Sequence, residues 1–503
     1  MRNIKGEQKK TILHLVISDN LEGVVSGLEL MMKTIEEVYD IFYIFDVDNT
    51  PTSLKEYFDC IPNFIHREYI KLWLLGTLVD WDVEWAIELE ALDLSYHNFT
   101  SSSLPEPFFE LPNLKELNLS HNKFTDLQES IGKLSTLTKL HVSHNKLTTF
   151  PDSFGNLKNL SYLDADWNPL IRQSSGFVIR DGCLDLSYNN LYTLPECLTK
   201  LGMLKVLDLQ FNPLESLPES MKNMEDLQLL DLTGNNLWNH SDVQLENFFD
   251  VIAQIPNLTE IHLKDNEMSF LPKSIGKIPN LTRLNLEGNN ISVLPPSIRD
   301  FQRLKVLELK GNKISALPDA IIYLTSLETL DLNENQITAL PFSIVGLPRL
   351  KRLDLRRNRL SQLSTEEKNA IFIIISNIRT LQSLDLSCNS LKALPDCIGD
   401  LKELTELNIS LNKFFYLPKT LGNSTNLTSL SAYKNHLSLL PESIGNLKNL
   451  QNLDVSSNNL ATLPHSIAQL RNLITLDIRW NQLSDGEKMK LRGISGGNNR
   501  FQL

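Results

Sequence analysis

One eleven-residue pattern, LxxLxLxxNxL, returns along most of the chain and limits it to a fold made by stacking like units. Leu114, Leu117, Leu119, Asn122 and Phe124 form an early copy; the next copies begin at Leu137 and Leu160, 23 residues apart. The same step links Leu258, Leu281, Leu304, Leu327 and Leu350. Seventeen copies run from Leu89 to a last one of Leu473, Leu476, Ile478, Asn481 and Leu483. Beyond Leu114 three steps depart from the period: 21 residues near 171–183, and 31 residues at 227–257 and 350–380. A length of 503 residues therefore reads as one array rather than several domains.

Inside each unit LxL alternates with period two, so its middle is a short strand with both leucines facing inward. The unit then runs into Leu-Pro, as at Leu217-Pro218 and Leu317-Pro318, and proline cannot donate to a sheet ladder. A segment such as SIGKL returns the chain along the other side. One unit has nothing on which to bury its apolar face, so only stacking stabilises it. Asparagine holds the ninth position in sixteen of the seventeen units, His97 being the exception. Its amide both donates and accepts, which suits it to backbone groups that a tight buried turn leaves unpaired.

These residues resemble the leucine-rich-repeat family, in the 23-residue LxxLxLxxNxLxxLPxxIxxL form found in bacterial proteins and in Ras-suppressor-like intracellular proteins. The resemblance covers residues 87–483. It implies an α/β fold, a right-handed horseshoe solenoid with a parallel β-sheet on its concave side and helical caps at both ends. Residues 1–86 are read as a helical N-terminal capping region: Asn20 caps a stretch whose apolar residues, Leu21 to Ile35, share one helical face. Residues 484–503 are read as a C-terminal cap and tail, with Ser484 capping a helix that opens on Asp485 and Glu487. In the longer unit at 350–380, Ser364 to Glu367 has the form of a capping box. Both 31-residue units are expected to carry an extra turn or two of helix.

Composition narrows the function. The 61 acidic residues outnumber the 48 basic ones, so a nucleic-acid backbone or an anionic membrane surface would be repelled at long range. No apolar run reaches membrane-spanning length, and the N-terminal apolar stretch is short for a signal peptide. Five scattered cysteines form no CxxC pair, which fits a reducing compartment; a cytoplasmic monomer is the expectation. Cys197 and Cys397 are read as core positions.

Catalytic and metal motifs lack the context their chemistry needs. IFYIFDVDNTPTS, with Asp46, Asp48 and Thr50, resembles the first motif of haloacid-dehalogenase-type phosphatases. Fewer than 45 residues separate Thr50 from the first repeat strand, too few for the Rossmann-like sheet and metal pair such a site needs. As a calcium loop the string fails, since Pro51 stands where glycine is needed. His121, His141 and His144 lack cysteine or carboxylate partners at ligand spacing. No catalytic residue, cofactor or metal is therefore assigned.

The partner-facing residues come from the outward columns. The fifth position is acidic in eleven units: Asp93, Asp164, Asp185, Asp208, Asp231, Glu308, Asp331, Asp354, Asp385, Asp454 and Asp477. The eighth position is aromatic or histidine in the first six units, Tyr96, His121, His144, Trp167, Tyr188 and Phe211, whereas among the last eleven only Trp480 is. Rings give contact area at low entropic cost, so this stripe is the first candidate binding surface. The second is a basic block, PRLKRLDLRRNRL, in which Arg352, Arg356 and Arg357 could fork onto carboxylate or phosphate groups or neutralise nearby Asp. The resulting expectation is a non-enzymatic scaffold for protein–protein interaction. Alternatives are a secreted bacterial effector, a regulator of a Ras-like GTPase or phosphatase pathway, and a phosphatase-like activity at Asp46 and Asp48.

Overall fold

Each fourth-position leucine sits at the centre of a three-residue strand in the computed structural model. The structure describes residues 90–494 and 501–502, except 97, 102–103, 105, 166–167, 169–177, 181, 190 and 202. Residues 1–86, with Asp46 and Asp48, and Trp167 lie outside the described residues. Contacts divide the span 87–483, read above as one domain, between two compact units: Met1–Asp208 with Asn223–Asp226, and Leu209–Lys222 with Leu227–Leu503. In an array each repeat touches only its neighbours, so contact density follows position along the chain.

The described strands of the first unit are β1 (Ala91–Asp93), β2 (Glu116–Asn118), β3 (Lys139–His141), β4 (Tyr162–Asp164), β5 (Val178–Arg180), β6 (Cys183–Asp185) and β7 (Val206–Asp208). β1 to β4 pair in parallel with the leucines in register, Leu92 beside Leu117 and Leu140 beside Leu163. The 21-residue step is a departure from the repeat: β5 pairs antiparallel with both β4 and β6. Its cause is local. Residues 171–180 contain no Leu-Pro return, Ile179 is buried from a β-branched Val-Ile pair, and Gly182 at φ 79° turns the chain straight back.

In the second unit, strands β8 (Leu229–Asp231) to β18 (Thr475–Asp477) follow one another in parallel, for example β10 (Arg283–Asn285) and β11 (Val306–Glu308) with Leu284 beside Leu307. β19 (Phe501–Gln502) then pairs with β18, and Gln502 accepts the Ile478 N–H at 2.9 Å, so the tail covers an otherwise open edge. Helix α1 (Asp242–Ile252) fills the first long repeat and α2 (Thr365–Ser376) the second, each about three turns rather than one or two. Both open with a capping box: Ser241 with Gln244, and Ser364 with Glu367. α3 (Asp485–Ile494) follows the last repeat, with the Glu487 N–H donating to Ser484 Oγ at 3.3 Å.

Fourth- and sixth-position leucines such as Leu140, Leu209, Leu307 and Leu332 are completely buried, each worth about 1.5–3 kcal/mol of transfer free energy. The asparagines hold successive units together. Asn145 donates from Nδ2 to the carbonyls of Leu119 and Val142, both at 2.9 Å, and of Ser143 at 3.2 Å, while its Oδ1 accepts the Phe124 N–H at 3.0 Å. The long repeats change one partner. There the chain turns at once into Leu237–Asn239 and Leu360–Gln362, so Asn266 and Asn389 accept instead from the N–H groups of Asn235 and Asn358. On the return side the units approach so closely that a Cβ on Gly399 would lie 2.1 Å from the Thr420 carbonyl oxygen. Neither Cys197 nor Cys397 takes the core position of its return segment, which Leu198 and Ile398 fill; Cys197 is buried beside it and Cys397 only partly so.

Candidate functional site

The eighth position is a strained place for a side chain. Its described residues have φ between 51° and 69°, from Tyr96 to Trp480, where only Gly234, Gly288 and Gly311 are free of a Cβ penalty. The turn imposes this because the eighth-position N–H must reach the next unit, as Tyr96 does to the Ser120 carbonyl at 3.0 Å and His121 to Ser143 at 2.9 Å. A non-glycine residue there costs on the order of 1–2 kcal/mol.

The first unit nevertheless places rings there. Tyr96 and His121 stack with centroids 4.0 Å apart and planes at 10°, and His121 and His144 continue the stack at 4.1 Å and 12°. The stack is not core packing: Tyr96 is 65% exposed, and His144 is also exposed. Desolvation within the stack, reinforced by His144, holds the His121 imidazole below its ordinary pKa and favours its neutral form. Tyr188 is 54% exposed in the same unit. Phe211 belongs to the second unit, where its ring lies over Gly234; a Cβ on that glycine would come within 2.5 Å of it. Thus the structure joins Tyr96, His121 and His144 directly. His141, by contrast, faces Tyr162 at a 4.9 Å ring distance and approaches the Glu116 carboxylate at 3.7 Å. Among the described residues no group of three or more His, Cys, Asp or Glu is placed to hold a metal ion.

The acidic fifth column has a scaffold role that sequence alone did not separate from recognition. Asp185 accepts the Ser187 N–H at 2.9 Å, Asp354 that of Arg356 at 2.8 Å and Asp454 that of Ser456 at 3.0 Å. Asn118, Asn285 and Asn408 make the same bond, so the turn requires the oxygen and not the charge. Where several carboxylates adjoin, ionisation is opposed. Burial, reinforced by Asp385 and Asp331, pushes the Asp354 carboxyl up to about 6, and burial also raises Asp331. Elsewhere the column is neutralised: His262 bridges Asp231 at 3.0 Å and Glu260 at 2.8 Å, and the Asp231 hydrogen bond raises its pKa against the opposing effect of burial.

The basic block splits between the two roles assigned to it. Lys351 pairs with Glu328 at 2.8 Å, Arg356 lies 3.8 Å from Asp354, and Arg357 lies 3.7 Å from Glu334. Arg352, exposed on β13 (Arg352–Asp354), has no ion-pair partner among the described residues. The sequence reading missed an apolar group in the second unit, Phe415, Tyr416 and Leu439, all exposed just past the ninth-position asparagines. Tyr416 and Leu439 are 23 residues apart, so a column-by-column reading extended beyond the strand would have found them.

Leucine rich repeat family models match residues 87–147, 112–170, 203–224, 302–360, 380–401, 449–470 and 469–486, and a model of two such repeats matches 279–323. A solved LRR protein from Leptospira interrogans is 30% identical, with a TM-score of 0.61, over 85% of this chain and 98% of that one. The chain belongs to the leucine-rich-repeat family, whose members generally mediate protein–protein interaction. The Drosophila Toll–Spatzle complex is similar at 19% identity and a TM-score of 0.56, over 78% of this chain and 51% of that one. The plant peptide hormone receptor RGFR1 in complex with RGF2 is similar at 26% identity and a TM-score of 0.46, over 78% of this chain and 67% of that one. Comparison with curated proteins gives no match. Among the described residues no helix is long and apolar enough to cross a membrane.

Proposed function

We propose that this chain is a non-enzymatic scaffold that binds a protein partner, and that the stacked rings of Tyr96, His121 and His144 form the centre of the contact. The observation that carries the reading is the combination of strain and exposure at these positions. Glycine would relieve the backbone there, as it does at Gly288 and Gly311, yet the first unit keeps exposed rings at Tyr96 and His144 on either side of a half-buried His121. Preorganised rings lose little entropy on association, which makes them good anchors. Tyr188 adds a further exposed ring to the first unit, and within the second unit Arg352 and Arg357 are candidates for charged contacts of their own. Cys183, Cys197, Cys388 and Cys397 are free thiols, which fits a reducing compartment.

Cross-linked affinity purification from the native cell would identify the partner, and binding would then be measured for a Tyr96→Gly, His121→Gly, His144→Gly variant. Glycine suits the backbone at all three places, so loss of binding cannot be assigned to misfolding. The reading expects affinity to fall by about a hundredfold or more, in line with several hot-spot residues. Full affinity in a folded triple variant would remove the rings from the interface.

A further inference from the structure

Two helices are inserted at the same point of the repeat in the second unit, and they handle charge differently. α1 faces the following repeat with carboxylates: Glu246 accepts the N–H groups of Lys273 and Ser274 at 2.8 and 2.9 Å, and Asp250 holds the Lys277 ammonium at 2.6 Å. Aligned on the capping serines Ser241 and Ser364, α2 has Asn369 where α1 has Glu246 and Ile373 where α1 has Asp250. At that place a cavity of about 480 Å³ lies between α2 and the two repeats that follow. Its charged lining is Lys368, Lys392 and Lys413, with no carboxylate, while Asn369, Phe372 and Leu391 complete the polar and apolar walls. None of the three ammonium groups has an ion-pair partner among the described residues. A chain with 13 excess negative charges thus lines one cavity with three lysines and no carboxylate; Glu367, which faces its own helix cap at Ser364 and is coupled to Lys368, stands outside that lining.

We propose that this cavity binds a small phosphomonoester, its phosphate held by Lys368, Lys392 and Lys413 and its organic group resting on Phe372 and Leu391. Lysine acts as a point-charge phosphate binder, and a phosphomonoester is close to a dianion at neutral pH. The volume falls within the range of about 300–1,000 Å³ typical of small-molecule sites. The site shares no residue with the ring stack and requires no protein partner.

Isothermal titration of the full chain with phenyl phosphate, inorganic phosphate and phenol tests the assignment. Phenyl phosphate should bind at one site and weaken with added salt, inorganic phosphate should bind about tenfold more weakly, and phenol should give no heat. Two variants locate the site: the triple Lys368→Gln, Lys392→Gln, Lys413→Gln, and the single Asn369→Glu, which returns to α2 the carboxylate that α1 carries. Each should weaken phenyl phosphate by at least about tenfold with an unchanged thermal melt. The proposal is overturned if phenyl phosphate gives no heat up to about 10 mM, or if either folded variant binds it as tightly as the parent.

Discussion

Replacing Asp354 with Asn should stabilise the protein at neutral pH. The carboxyl is raised from 3.8 to about 6 because burial and the neighbouring Asp385 and Asp331 oppose its charge. A raised folded-state value means that the folded chain binds the proton more readily than the unfolded one between these limits. Stability is therefore lost as pH rises through that window, and the loss is complete above it. At about 1.4 kcal/mol per pKa unit the full shift corresponds to about 3 kcal/mol, and partial exposure with solvent screening brings the expectation to about 1–2 kcal/mol. Asparagine keeps an oxygen for the Arg356 N–H, as Asn285 and Asn408 do for their own turns, so the scaffold bond survives. Urea unfolding at about pH 7.5 and about pH 4 measures the effect: the gain should appear at the higher pH and largely vanish at the lower, where the parent carboxyl is protonated. A variant no more stable than the parent at neutral pH, or one whose gain is equal at both, would refute the reasoning.

Other consequences are independent of that one. Asn145→Ala should cost about 2–4 kcal/mol in chemical denaturation, since it strands buried groups of two neighbouring repeats; a loss below about 0.5 kcal/mol would mean that the ladder is replaceable. Leu411→Gly should raise stability by about 0.5–1 kcal/mol in the same assay, because its φ of 55° penalises a Cβ and its side chain is exposed. His262 gains its raised pKa from Asp231 and Glu260, so its stabilising charge is fully present below 6.5 and lost as pH rises through the folded value. Accordingly, His262→Gln should reduce stability most at about pH 6 and progressively less above it, as followed by thermal melts; a pH-independent effect would contradict the bridge.

The repeat was legible because it depends on spacing. LxL places two leucines on one side of a strand wherever it occurs, and the ninth-position asparagine is almost the only residue able to satisfy both sides of that turn. The Ser364–Glu367 box could be read for the same reason, being set by local hydrogen bonds. What spacing does not report is where the pattern is absent. The hairpin of β5 and β6 replaces a missing Leu-Pro return, and a count of leucines registers only a shorter step. Nor does a column of like residues reveal its own environment: Asp354 and Asp231 share a position and a turn, yet one is crowded by carboxylates and the other bonded to His262. The aromatic stripe was visible as composition. Its stacking and its left-handed backbone were not, because both follow from how the turn of one unit meets the next.

The most direct measurement of the central claim is partner affinity for the Tyr96→Gly, His121→Gly, His144→Gly variant beside the parent, with stability followed in parallel. The account predicts a folded variant of undiminished stability whose affinity falls by about a hundredfold or more. Undiminished affinity in that folded variant would contradict it.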